Sequence, residues 1–136
     1  MKKKWLFWIT GLPGSGKTQL AKKIKKDIEQ INGPTLEISG DEIRKYFSLN
    51  KYDEKSRRNY AKKYPYFCNF LIKKDFNVIF STVSLFHEVQ AFNRKKISNY
   101  MEIFIKSDIN QLIKKKNEGV LAVILARIGS KRLKKK

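Results

Sequence analysis

The sequence contains little cysteine and no long apolar run. Cys68 is the single cysteine among 136 residues, so no disulfide can form within the chain, which is typical of the reducing cytosol. After the basic start, the apolar run spans only Trp5 to Ile9, which is too short for a signal peptide or a membrane span. We therefore expect a cytoplasmic protein of one-domain size with no membrane partner.

Acidic residues are also scarce, with 12 against 31 lysines and arginines, and the formal net charge is +19. The charge favours either a polyanion-binding surface or lysine-rich, solvated helix faces that attract nucleotide substrates. The basic residues are spread along the chain, and no aromatic–basic signature of nucleic-acid binding occurs. We expect a small nucleotide-type partner rather than nucleic acid.

One stretch fits the phosphate-binding pattern G-x-x-x-x-G-K-[ST] without a gap. It consists of Gly11, Leu12, Pro13, Gly14, Ser15, Gly16, Lys17 and Thr18. In this pattern loop N–H groups bind phosphate oxygens, the lysine reaches the β- and γ-phosphates, and the threonine hydroxyl coordinates magnesium. The motif predicts ATP and Mg²⁺ as cofactors. The alternative is a glycine-rich turn between strand and helix without a ligand.

Apolar alternation and turn residues predict regularly alternating strands and helices. Strands are expected over residues 4–10, 35–39, 77–83, 100–105 and 120–126. Helices are expected over residues 16–31, 53–74, 86–98 and 108–117, and a further short helix is expected to begin at residue 40. Pro65 is expected to end or kink the helix over 53–74. This order predicts an α/β fold, a P-loop NTPase three-layer sandwich with a parallel sheet.

Ligands of such sheets bind beyond the carboxyl ends of the strands. Asp41 and Arg44 follow the second strand, and Ser84 follows the third. Asp41 is expected either to accept a proton from an attacking hydroxyl or hold magnesium, or to cap a helix. Arg44 is either a ligand of a substrate phosphate or a surface arginine.

Taken together, these residues resemble the adenylylsulfate kinase family. The resemblance covers roughly residues 5–119, and its motifs are Trp8–Thr18, Ser39–Arg44, Arg57, Val83-Ser84 and Glu102–Ile105. It implies transfer of the γ-phosphoryl group of ATP to the ribose 3′-hydroxyl of adenylylsulfate, as in sulfate assimilation. It also implies a homodimer.

The resemblance assigns roles residue by residue. Lys17, Asp41 and Ser84 would be catalytic, and Asp41, Arg44, Arg57 and Ser84 would bind the acceptor. Ser84 matches the serine of the family's Ile-Ser-Pro motif, and a helix N-cap is its alternative role.

The sequence departs from the family pattern on the acceptor side. Ser39 replaces the first aspartate of the family's Asp-Gly-Asp motif, and Leu85 replaces the proline that follows Ser84 in the family. Tyr60 occupies the position where the family has an asparagine, three residues after Arg57. Residues 115–121 match the family's lid motif poorly. Residues 82–89 and Phe92-Asn-Arg94 look similar to a branch that phosphorylates cytidine diphosphoramidate in surface-polysaccharide biosynthesis. The acceptor is thus either adenylylsulfate or another nucleotide conjugate.

Residues 120–136 resemble the first strand and nucleotide loop of CMP-sugar cytidylyltransferases, through Ala126-Arg127 and Gly129-Ser-Lys-Arg132. We therefore predict a P-loop kinase domain over 1–119. Residues 120–136 are either the start of a cytidylyltransferase domain, fused or adjacent, or a final kinase strand with a basic tail. A non-catalytic nucleotide- or polyanion-binding module is the alternative of another class.

Overall fold

A computed structural model describes residues 2–83, 86–107 and 110, and the backbone of 123–128. The strands are β1 (Leu6–Gly11), β2 (Thr35–Ser39), β3 (Asn77–Thr82), β4 (Tyr100–Lys106) and β5 (Val123–Ile128). The helices are α1 (Lys17–Asn32), α2 (Gly40–Tyr46), α3 (Glu54–Lys73) and α4 (His87–Lys96). Within this described part, no helix is long and apolar enough to cross a membrane.

The five strands form one sheet in the order β2-β3-β1-β4-β5. The first four are parallel, as predicted, and Leu6 of β1 lies between Val78 of β3 and Tyr100 of β4. β5 runs antiparallel to β4, so the predicted parallel sheet comprises the first four strands and carries one antiparallel edge strand. Antiparallel edge strands are common on parallel sheets, and an apolar pattern does not encode strand direction. Of the helix predicted over 108–117, all residues except Asn110 lie outside the described residues.

Alternating strand residues build a core on each face of the sheet. On one face, Trp8 and Phe80 stack with ring centroids 4.9 Å apart beneath α3 and α4. On the other face, Ile9 and Ile79 pack against Ala21 of α1. The sandwich therefore has three layers, and the prediction of a P-loop NTPase architecture is confirmed.

The helix α3 continues through Pro65, where an end or a kink was predicted. Proline removes one backbone hydrogen bond to the residue four positions earlier, which is Ala61. Pro65, Ala61 and Cys68 are all buried against the sheet. Tertiary packing thus offsets the cost of an interior proline. Burial also raises the pKa of the Cys68 thiol, which stays protonated and serves for packing.

Asn77 of β3 links its strand to α1, to β2 and to the residue before β1 at the amino end of the sheet, where it is fully buried. Its Oδ1 accepts hydrogen bonds from the Trp5 N–H at 3.0 Å and from Asn32 Nδ2 at 2.8 Å. Its Nδ2 donates to the Asn32 carbonyl at 3.1 Å and to Thr35 Oγ1 at 3.3 Å. This one amide fixes where α1 ends relative to β1, β2 and β3.

We expect Asn77→Ala to lower the free energy of unfolding by about 2 to 3 kcal/mol, because it leaves buried donors and acceptors without partners. Urea unfolding followed by circular dichroism measures this loss. Asn59→Ala is the matched control, since Asn59 is exposed on α3 and should change stability by about 0.5 kcal/mol at most. Equal losses in the two variants would contradict the role of Asn77.

Candidate active site

The phosphate-binding motif forms the turn between β1 and α1. Gly14 and Gly16 have φ angles of 81° and 99°, values that side chains other than glycine rarely adopt. A Cβ atom on Gly11 would lie 2.7 Å from Ser15 Oγ and 3.0 Å from the Ile105 carbonyl, so the strand end also requires glycine. The loop shape is therefore set by backbone angles and by close packing against β4.

Lys17 begins α1 and bridges the loop. Its Nζ donates hydrogen bonds to the carbonyls of Gly11 and Leu12, each at 3.0 Å. Thr18 follows, with an exposed side chain. Since the first N–H groups of a helix and its dipole favour anions, this end of α1 is suited to hold phosphate.

One cavity of about 940 Å³ brings the loop together with residues of the neighbouring elements. Of the predicted site residues, it is lined by Pro13, Gly14, Gly16, Lys17, Thr18, Asp41, Arg44 and Arg57. The expectation that residues after the strands face one crevice holds for the loop residues in this set and for Asp41 and Arg44, whereas Gly11, Leu12 and Ser15 do not line the cavity. Ser84 lies outside the described residues, between Val83 and Phe86, which both line the cavity.

Asp41 lies in the first turn of α2 and is not its cap, so its alternative role as an N-cap is wrong. The cap is Ser39, whose Oγ accepts from the Glu42 N–H at 3.1 Å, while Glu42 Oε1 accepts from the Ser39 N–H at 3.0 Å. This reciprocal pair is a capping box. Ser39, which replaces a family aspartate, therefore caps α2, and the Asp41 carboxylate lines the cavity instead of capping the helix.

Arg44 forms an ion pair with Asp41, one turn earlier on α2. Its guanidinium also lies 5.4 Å from the ring centroid of Tyr52, in the loop before α3. The Arg44 side chain is only 26% exposed, against 80% for Asp41. Arg44 is therefore held between a carboxylate and an aromatic ring at the cavity wall, which differs from a free surface arginine.

Arg57 and Tyr60 project from α3 into the same cavity. They are three residues apart, which places them on one face of the helix. The Tyr60 hydroxyl accepts a hydrogen bond from the Lys51 N–H at 3.2 Å. Tyr60, which replaces an asparagine of the family, thus contacts the loop that carries Tyr52.

The sequence analysis did not predict that aromatic side chains form one wall of the cavity. It is formed by Tyr52, Tyr60, Tyr64 and Phe86. Burial raises the pKa of Tyr64, so its hydroxyl remains protonated near neutral pH. The spacing of Arg57, Tyr60 and Tyr64 matches one helical face and could have identified the α3 part of this wall.

Arg58 of α3 packs against the ring of Phe86. The Arg58 guanidinium lies 4.4 Å from the Phe86 ring centroid and forms ion pairs with Glu54 and Glu88. Lys62 joins this cluster through Glu88, with an Nζ–Oε2 distance of 3.4 Å. The charge cluster links α3 to α4 beside Phe86, which lines the cavity.

A family model described as adenylylsulphate kinase matches residues 3–130. The chain belongs to this family. It is 34% identical over 116 residues to the cytidine diphosphoramidate kinase of Campylobacter jejuni, covering 85% of this chain and 68% of that protein. It is 28% identical over 116 residues to a probable adenylyl-sulfate kinase of Pyrococcus abyssi, covering 85% and 67% of the two chains.

The fold also matches solved relatives. The structure of the Mycobacterium tuberculosis APS kinase CysC, in complex with AMPPNP and APS, aligns with a TM-score of 0.74. The alignment covers 88% of this chain and 72% of that one at 19% identity, so it supports the fold alone. Family membership makes this chain an ATP-dependent kinase with a P-loop nucleotide site.

The cavity also fits the magnesium ion that kinase chemistry implies. Mg²⁺ keeps several water ligands and needs only one or two protein oxygens. The Thr18 hydroxyl and the Asp41 carboxylate line the same cavity. Among the described residues no group of three or more His, Cys, Asp or Glu side chains is placed to hold a metal.

Proposed function

We propose that this protein transfers the γ-phosphoryl group of ATP to a hydroxyl of a phosphate-bearing nucleotide conjugate. The observation that carries the proposal is that one cavity is lined both by Lys17 and Thr18 and by Asp41, Arg44 and Arg57. In the transfer, the bond from the γ-phosphorus to ADP breaks, and a bond to the acceptor oxygen forms.

The donor half is the phosphate loop. Its N–H groups and Lys17 would hold the β- and γ-phosphates and balance the charge that develops during transfer. Thr18 would bind Mg²⁺, which supplies further charge neutralisation when present. Lys17 already contacts the carbonyls of Gly11 and Leu12, so its ammonium group lies directly over the loop.

The acceptor half is supplied by α2, α3 and the end of β3. Asp41 would receive the proton of the acceptor hydroxyl, and Arg44 and Arg57 would bind the acceptor phosphate. Ser84, assigned to the acceptor side by family resemblance, follows Val83 in the chain. Because Arg44 is paired with Asp41, an acceptor phosphate that engages Arg44 would compete with the carboxylate for it.

Of the two acceptors, we propose a cytidine diphosphoramidate-type conjugate. The 34% identity to the Campylobacter jejuni enzyme supports it, as do the departures at Ser39 and Tyr60, both of which line the cavity. Adenylylsulfate is the second candidate, supported by the family match and by relatives such as the Pyrococcus abyssi protein. The first candidate implies surface-polysaccharide biosynthesis, and the second implies sulfate assimilation.

A direct assay separates the two acceptors. The purified chain is incubated with ATP, Mg²⁺ and either cytidine diphosphoramidate or adenylylsulfate, and ADP release and the phosphorylated product are measured. We expect kcat/KM to be higher with cytidine diphosphoramidate. A preference for adenylylsulfate would reverse the acceptor assignment, and turnover of neither would refute the proposed function.

The assignment of residues 120–136 to the start of a cytidylyltransferase stays a prediction, as does a homodimer. A fused or adjacent cytidylyltransferase fits a cytidine-containing acceptor chemically. Reading the genomic DNA past codon 136 tests the first prediction, and light scattering of the purified chain tests the second. A stop codon there, with no cytidylyltransferase gene alongside, would contradict the linkage.

A further inference from the structure

We propose that Tyr60 is a positioning residue of the acceptor half, acting through the loop that carries Tyr52. Its hydroxyl fastens this loop to α3, and the loop in turn places the Tyr52 ring against Arg44. The inference rests on the proposed function, in which Arg44 binds the acceptor phosphate. It extends that function to a residue that makes no ion pair and departs from the family pattern.

Tyr60 is well anchored for this role. Its ring is partly buried and packs against the core cluster that contains Ala61 and Tyr64. Its position one turn after Arg57 directs it toward the cavity, which it lines. A ring held by the core can present its hydroxyl at a fixed point, because a tyrosine side chain has few rotatable bonds.

The loop between α2 and α3 needs such an anchor. Its first part is tied to α2, since the Leu49 N–H donates to the Arg44 carbonyl at 2.9 Å. Its end is tied to α3, since the Ser56 N–H donates to the Asp53 carboxylate at 3.0 Å. Between these ties, the Lys51 N–H donates to the Tyr60 hydroxyl, and Lys51 immediately precedes Tyr52.

The consequence concerns the orientation of Arg44. The Tyr52 ring is 69% exposed and lies 5.4 Å from the Arg44 guanidinium, so the loop backbone largely decides where the ring lies. Cation–π contact restrains the guanidinium on one side, and Asp41 restrains it on the other. Loss of the Tyr60 hydroxyl would loosen Tyr52 and leave Arg44 less well ordered for an acceptor phosphate.

The test is Tyr60→Phe, which removes the hydroxyl and keeps the ring in the core. With the acceptor that the wild-type chain phosphorylates, we expect KM for that acceptor to rise about threefold to tenfold, the effect of one lost hydrogen bond. kcat and KM for ATP should stay within about twofold, because the phosphate loop is untouched. Amide hydrogen exchange of residues 49–53 should become faster.

Tyr46→Phe is the matched control, since Tyr46 is 77% exposed on α2 and does not line the cavity. An unchanged acceptor KM in Tyr60→Phe, or equal changes in KM for acceptor and ATP, would overturn the positioning role. If the wild-type chain phosphorylates neither acceptor, the proposed function fails by itself. The exchange measurement then decides the inference, and unchanged exchange in residues 49–53 overturns it.

Discussion

Replacing Lys17 by alanine should lower kcat for phosphoryl transfer by about a hundredfold to a thousandfold, the range seen when one preorganised donor is removed from a transition-state site. The ammonium group would neutralise charge on the transferring phosphoryl group, where little covalent chemistry is asked of the protein. Coupled detection of ADP release under saturating ATP and acceptor measures the loss.

The fold should survive this substitution. Lys17 contributes two hydrogen bonds to loop carbonyls, so we expect a loss of only about 1 kcal/mol in the free energy of unfolding. Lys22→Ala is the control, because Lys22 is exposed on α1 and removes the same charge away from the loop. Turnover retained in Lys17→Ala, or lost equally in Lys22→Ala, would contradict the assignment of the loop.

Asp41→Asn should reduce transfer by about a hundredfold to ten-thousandfold, the usual contribution of a positioned general base. The amide keeps the shape of the carboxylate and loses its ability to take the acceptor proton. ATP binding should remain, since Asp41 belongs to α2 and the loop carries the phosphate contacts. Steady-state transfer and equilibrium binding of a fluorescent ATP analogue, measured side by side, separate the two effects.

Stability should change little in Asp41→Asn. The ion pair with Arg44 involves a carboxylate that is 80% exposed, and exposed pairs contribute about 0 to 1 kcal/mol. Asp27→Asn, on the exposed side of α1, provides the charge-matched control. Undiminished transfer in Asp41→Asn would show that the proton leaves by another route, and loss of ATP binding would move Asp41 to the donor half.

The two halves of the cavity are built differently. The shape of the proposed donor half depends on backbone, namely the glycine angles at Gly14 and Gly16 and the start of α1, which carries the Lys17 and Thr18 side chains. The proposed acceptor half depends on side chains, namely Arg44 and the aromatic wall, which line the same cavity. Backbone geometry tolerates few substitutions, whereas a side-chain wall can change one residue at a time.

Local patterns were sufficient to predict much of this protein. The phosphate loop is contiguous, and its glycines are required by angles that belong to single residues. Turn residues and apolar spacing predicted the bounds of β2 and the position of α1, and these signals also lie within short segments of the chain. The prediction that residues after parallel strands converge on one cavity needed only the order of elements.

Other features depended on contacts between residues distant in the chain. The direction of β5 comes from pairing with β4, and the continuity of α3 through Pro65 comes from packing against the sheet. Likewise, the Lys51 N–H donates to the Tyr60 hydroxyl only because the loop before α3 lies beside that helix. Sequence alone therefore determined the ATP side, where the chemistry lies in one segment. Only the tertiary structure showed the aromatic wall beside the proposed acceptor residues, because that wall is assembled from the α2–α3 loop, α3 and Phe86 at the start of α4.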